Sequence, residues 1–345
     1  MKSQNLLERL KNDVVIGAEG YLFELERRGY LKAGAYVPEV VIEYPQAVIE
    51  LHTEFLRAGA EVMVAFTYYG HRAKMRAIGR EGDLERLNRD ALRLAKTVAA
   101  KGDALVAGNI CNTWEYDPAK QAESEKVVRP MFEEQVQWAK EEGASFIIAE
   151  TFNHLGEARL ALDVIKKAGL PAMVTFAAKG EESYDNVPWD EACKILEDEG
   201  ADVVGLNCSR GPETMFGLLE KIRAAVKCYV AAQPVPYHTT HDHPYFQVLE
   251  DVHGNRAFPV GLDPFLVNRF EMAEFALKAR DLGVNFIGIC CGGAPHHVRA
   301  MSEALGRTVP ASVYSPDLSM HPVLGAQGES KEKYKRHIQD FEKKS

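Results

Sequence analysis

Short apolar runs recur along this chain, each followed by a segment with helical spacing, and that alternation restricts the fold more than any other feature. The runs cover residues 14–16, 62–66, 104–108, 146–149, 172–176, 203–206, 229–232 and 286–289. Each is too short to be a helix, so each is read as a strand. Four are entered through the same junction, a glycine fit to end a helix and then a short step into β structure: Gly59-Ala60-Glu61-Val62, Gly143-Ala144-Ser145-Phe146, Gly200-Ala201-Asp202-Val203 and Gly283-Val284-Asn285-Phe286. One βα unit is being used repeatedly.

The helices between are legible as well. Val48, Leu51, Phe55 and Ala58 fall on one face, as do Val298, Met301 and Leu305. The segment 155–168 closes with Lys166 and Lys167, then Gly169 and Pro171, all stop signals. No Gly-rich nucleotide fingerprint follows the first strand. Eight strands alternating with helices therefore fit an α/β fold of the (β/α)₈ barrel type better than an open doubly wound sheet. The expected division is a barrel over residues 1–310 and a C-terminal extension over 311–345, interfacial or flexible, whose last part, 328–345, reads as a charged helix or tail. The stretch 233–264, after the seventh strand, is a long connection rich in Pro, His and aromatic residues. Loops on that side of a barrel line its active site, and so long a loop is expected to be functional.

A net charge of -9 with no basic run repels phosphate backbones and anionic membranes, leaving small molecules as the expected partners. The N-terminus lacks the apolar core of a secretory signal, and no apolar run approaches the roughly 20 residues of a membrane span. A cytoplasmic protein is expected. Its six cysteines do not resemble a disulfide framework, and a reducing compartment keeps them as thiols.

In a barrel, the ends of strands six and eight open into one mouth. Here they carry Asn207-Cys208 and Cys290-Cys291-Gly292-Gly293. Three thiols suit zinc, and three protein ligands with a fourth position open describe a catalytic rather than a structural site. The alternative is that these cysteines simply pack at strand ends, as buried thiols commonly do. Gly292 and Gly293 favour the metal, because they let the backbone turn sharply and leave room for a ligand. Cys111, in a loop, Cys193, in a helical segment, and Cys228, at a strand start, are read as structural. His238, His241 and His243 form a weaker alternative metal group without helical spacing.

Gly205-Leu206-Asn207-Cys208 together with Gly288-Ile289-Cys290-Cys291-Gly292-Gly293 resembles the zinc signature of the homocysteine S-methyltransferase family. The likeness is greatest to its betaine-homocysteine branch and runs from about Leu7 to Leu305. It includes the segment from Arg27 to Gly34, Phe55-Leu56-Arg57-Ala58-Gly59, Ala149-Glu150, Gln233-Pro234 and Gly261-Leu262-Asp263-Pro264. The resemblance implies a zinc ion held by Cys208, Cys290 and Cys291, with the homocysteine sulfur as fourth ligand. It implies methyl transfer from betaine or a similar quaternary amine to homocysteine, giving methionine. A sulfonium donor, S-methylmethionine or dimethylsulfoniopropionate, is the alternative. More distant alternatives are a metal-dependent aldolase or hydrolase, or a non-catalytic zinc barrel.

The same resemblance assigns Glu150, at the end of strand four, to the amino group of homocysteine. Tyr69 matches a family tyrosine near metal and donor, and Tyr36 stands where the betaine branch has a tryptophan in its donor pocket. Asn207, beside the first thiol, is expected to contact substrate. The branch has Gly-Asp-Gly-Gly after the first strand, whereas this chain has Gly17-Ala18-Glu19-Gly20, which leaves Glu19 and Gly20 to face the amino acid. Thr151 replaces a family tyrosine. After Leu305 only Met320-His321 keeps a likeness, and the basic stretch and dimerisation arm of the branch are not matched. A homo-oligomer remains in keeping with the family.

Overall fold

The structure is a computed structural model that describes residues 5–321 together with Arg336, Asp340 and Lys343. The rest of the expected charged segment 328–345 lies outside the described residues. The eight strands are β1 (Val15–Ile16), β2 (Val62–Val64), β3 (Leu105–Cys111), β4 (Phe146–Phe152), β5 (Ala172–Phe176), β6 (Val203–Asn207), β7 (Tyr229–Gln233) and β8 (Phe286–Ile287). All pair in parallel in the order β1-β8-β7-β6-β5-β4-β3-β2. With helices between them, this is the (β/α)₈ barrel.

Its seam lies between β1 and β2, where the ladder gives way to single contacts. Glu61 N–H donates to Ile16 O at 2.8 Å, and the Glu61 carboxylate accepts from Ile16 N–H at 3.0 Å. Arg307 then pairs with the same carboxylate and donates to Val14 O, so a guanidinium fastens the seam from the N-terminal end of both strands.

The strands are buried almost throughout, as a parallel sheet covered on both faces must be. Val48, Leu51, Phe55 and Ala58 of the helix Pro45–Ala58 are all buried against them, and Val298 and Met301 likewise, while Leu305 is only partly covered. The junction glycines Gly59, Gly143, Gly200 and Gly283 all adopt positive φ, between 83° and 108°. Tertiary packing moved several strand ends. β3 and β4 run on to Cys111 and Phe152, whereas β8 is reduced to two residues.

The chain divides into two compact units between Val309 and Pro310. The first contains the barrel; in the second, Pro310–Tyr314 forms a 3₁₀ turn. No helix of the described residues is long and apolar enough to cross a membrane.

Candidate metal centre and substrate pocket

The C-terminal strand ends bring Cys208, Cys290 and Cys291 together, their sulfur atoms all within 4.8 Å of one another. Cys208 follows β6 directly with φ 57°, a left-handed conformation that turns its side chain toward the end of β8. Cys290 and Cys291 follow β8, their sulfurs 4.0 Å apart. The loop that carries them leans on Gly20, where an added Cβ would lie 1.9 Å from Gly293 O. Gly20 thus serves by letting the two backbones meet.

Hydrogen bonds from the Cys290 and Cys291 thiols hold Cys208 well below the ordinary thiol range, and sharing with Cys208 pushes the other two well above it. A divalent cation would deprotonate all three. Soft donors at this spacing, on a side open to a pocket, fit zinc with one position left for a ligand. The expected histidine alternative fails. Among the described residues, His238, His241 and His243 join no group of converging ligand atoms, and His238 instead lies 3.5 Å from Glu271.

Beside the thiols, Glu19 and Glu150 are buried with ligand atoms within 4.8 Å of Cys290 and of each other. Asn109 donates to Glu150 Oε1 at 2.6 Å, and Asn207 donates to Oε2 at 2.8 Å. Asn207 also donates to Thr151 Oγ1 and accepts from Thr151 N–H and Thr175 Oγ1, each at 2.7 to 2.8 Å. Neither oxygen of Glu19 has a hydrogen-bond partner, nor does the amide of the neighbouring Gln233. Burial, and then the Glu150 charge, hold Glu19 well above the ordinary carboxylate range; burial also raises Glu150. Two facing carboxyls without a cation favour keeping a proton, and a bound ammonium can take its place.

Aromatic side chains form much of the pocket wall beside the thiols. Tyr36 and Tyr69 line the pocket with Cys208 and Cys291, and burial pushes both phenols up to about 12, so they stay neutral. Tyr69 N–H donates to Cys111 Sγ at 3.2 Å, and its hydroxyl accepts from Trp114 Nε1 at 2.8 Å. Cys111, expected in a loop, ends β3 and braces this tyrosine. The long connection after β7 does reach the mouth: Phe246 N–H donates to Ser209 O at 2.9 Å, and Phe246 and Phe258 pack edge to face on the pocket's far side.

Among the described residues, Tyr36, Tyr69, Trp114, Thr151, Asn186, Cys208 and Ser209 are the non-glycine residues with positive φ, and all except Asn186 line this pocket. Left-handed backbone in L-residues is strained, and such strain gathers at functional sites. Asn109, Trp114, Lys179 and Phe246 were not singled out from the sequence. A third strand read to its true end would have exposed Asn109; the others sit on loops whose course no local pattern fixes.

The family model described as homocysteine S-methyltransferase matches residues 17–305. Betaine–homocysteine S-methyltransferase 1 of Mus musculus is 36% identical, with 97% of this chain and 85% of the relative covered. S-methylmethionine–homocysteine S-methyltransferase of Pongo abelii is 38% identical, with 88% and 81% covered. The metallated form of the Escherichia coli homocysteine methyltransferase MmuM superposes with a TM-score of 0.67 over 85% of this chain and 96% of that one; at 18% identity this likeness bears on the fold.

Proposed function

Because this chain belongs to the homocysteine S-methyltransferase family, we propose that it transfers a methyl group from glycine betaine, or a similar quaternary amine, to homocysteine, giving methionine. The observation that carries the reading is the trio Cys208, Cys290 and Cys291, gathered at the barrel mouth and open toward an aromatic pocket. These three thiolates would hold zinc, which would supply a homocysteine thiolate at neutral pH, where a free thiol of pKa near roughly 8.5 is mostly protonated.

The chain's own groups set the geometry. Glu150, with Glu19 beside it, receives the ammonium of homocysteine, and Asn109 and Asn207 fix the Glu150 carboxylate so that the amino acid is aligned with its sulfur toward the thiols. Tyr36 offers a ring to the donor's cationic head, and Tyr69, whose ring packs on Tyr68 and carries the Lys74 ammonium at 4.5 Å, walls the pocket beside it. Methyl transfer forms a carbon–sulfur bond while the breaking carbon–nitrogen bond returns its electron pair to nitrogen. The products are methionine and a neutral amine. Thiols in this arrangement need a reducing compartment, for which we propose the cytoplasm.

A sulfonium donor is the second reading, favoured by the similarity to the Pongo abelii relative. The acceptor side is unchanged, and the leaving group is a neutral sulfide. Zinc-loaded protein given homocysteine and, in turn, glycine betaine, proline betaine, dimethylsulfoniopropionate and S-methylmethionine separates the two. Methionine from glycine betaine is expected. Methionine from the sulfonium donors alone selects the second reading, and none from any donor overturns both.

A further inference from the structure

The pocket next to the thiols is lined by one cationic side chain, Lys179, and by no carboxylate. Lys179 follows β5 by three residues and is half-buried. Its ammonium stands 5.9 Å from the Trp114 ring centroid and 5.8 Å from that of Tyr184. Both rings lie at the outer edge of cation–π contact, about 6 Å, and neither neutralises the charge. Among the described residues no acid forms an ion pair with it, although the protein carries a net charge of -9. Nearby Glu181 is taken up instead by Arg210 and Lys221. The pocket offers this ammonium no carboxylate, so an anionic ligand group can pair with it there.

The proposed donor brings a positive head into this pocket. The ring of Tyr36 attracts such a head, while Lys179 repels it, so a bare cation gains from one wall and loses at the other. A donor that carries an anionic end escapes the conflict by laying that end on the ammonium. Resting on the methyl-transfer reading above, we infer that Lys179 receives the carboxylate of a zwitterionic methyl donor and thereby selects carboxylate-bearing quaternary amines and sulfonium compounds over carboxylate-free cations such as choline. Homocysteine also has a carboxylate, but its ammonium is directed to Glu19 and Glu150, which do not line the pocket with Lys179.

The test is steady-state kinetics of the zinc-loaded full chain, with glycine betaine, dimethylsulfoniopropionate and choline as donors. Replacing a charge-assisted contact by a methyl group, Lys179→Met is expected to raise the KM for the two carboxylate donors about tenfold to a hundredfold, with homocysteine KM changed by less than about twofold. Lys179→Arg, which keeps the charge, should restore most of the loss. Choline should be a poor donor for the native chain and no poorer for Lys179→Met. Methionine formation with an unchanged donor KM in Lys179→Met overturns the inference alone, as does a rise confined to homocysteine KM. If the native chain makes no methionine from any donor, the methyl-transfer reading falls and takes the inference with it.

Discussion

Asn207 on β6 donates to Glu150 Oε2 on β4 at 2.8 Å, spanning the intervening strand β5. The residue before the first thiol of the trio is therefore tied to the carboxylate proposed to receive the amino acid, and the two halves of the site are positioned as one unit.

Asn207→Ala removes that tie and leaves the Thr151 N–H and the Thr175 hydroxyl without their acceptor. Each orphaned buried group costs about 1–3 kcal/mol, so a loss of at least about 2 kcal/mol is expected in urea unfolding, together with a raised homocysteine KM. A stability within about 0.5 kcal/mol of the native value would contradict the role given to this amide.

Gly20→Ala tests whether close backbone approach sets the thiol loop. Its φ of -73° suits alanine, so the effect is purely steric, through the 1.9 Å clash with Gly293 O. Elemental analysis should find well under one zinc per chain in the variant. Full occupancy would show that the Cys290–Cys291 loop is not held by this contact.

Cys111 and Cys291 should part company on metal content. Cys111 bonds to the Tyr69 N–H and stands outside the trio, so Cys111→Ala is expected to keep stoichiometric zinc with weakened donor binding. Cys291→Ala is expected to lose both zinc and activity. Loss of zinc in the Cys111 variant would redraw the site.

Acid should destabilise the fold through buried histidines. His52, packed on Tyr21 with neither ring nitrogen hydrogen-bonded, is held at about 3 by burial, and His297 also at about 3 chiefly by burial. The unfolded chain takes up the proton near pH 6.5, the folded one only near 3. The contribution is therefore complete above 6.5 and is lost as pH falls toward 3, reaching about 2 kcal/mol per such histidine by pH 5. His52→Phe, which keeps a ring against Tyr21, should flatten stability between pH 7 and 5; an unchanged slope would contradict a neutral buried His52.

The sequence showed much of this because short apolar runs and glycine stops are local signals, and barrel topology then places Cys208, Cys290, Cys291 and Glu150 at one mouth without further information. Strand lengths were less legible. β3 reaches Asn109 and Cys111 because those residues pair with Ile148 and Glu150 of β4, a long-range partnership that no window of sequence contains. The left-handed backbone at Thr151 and Cys208 was hidden for a different reason, since neither position is a glycine that would advertise it. Trp114, Lys179 and Phe246 meet across loops far apart in the chain. Their convergence depends on the barrel, which brings a cationic side chain and an aromatic wall into one pocket.

Zinc K-edge X-ray absorption of the loaded protein, before and after adding homocysteine, measures the open coordination position directly. Three sulfur neighbours and one lighter atom near roughly 2.0–2.3 Å are expected first, becoming four sulfurs with homocysteine bound. A shell of fewer than three sulfurs at the outset, or a sulfur count that homocysteine leaves unchanged, would contradict a metal held by Cys208, Cys290 and Cys291 with room for the substrate thiol.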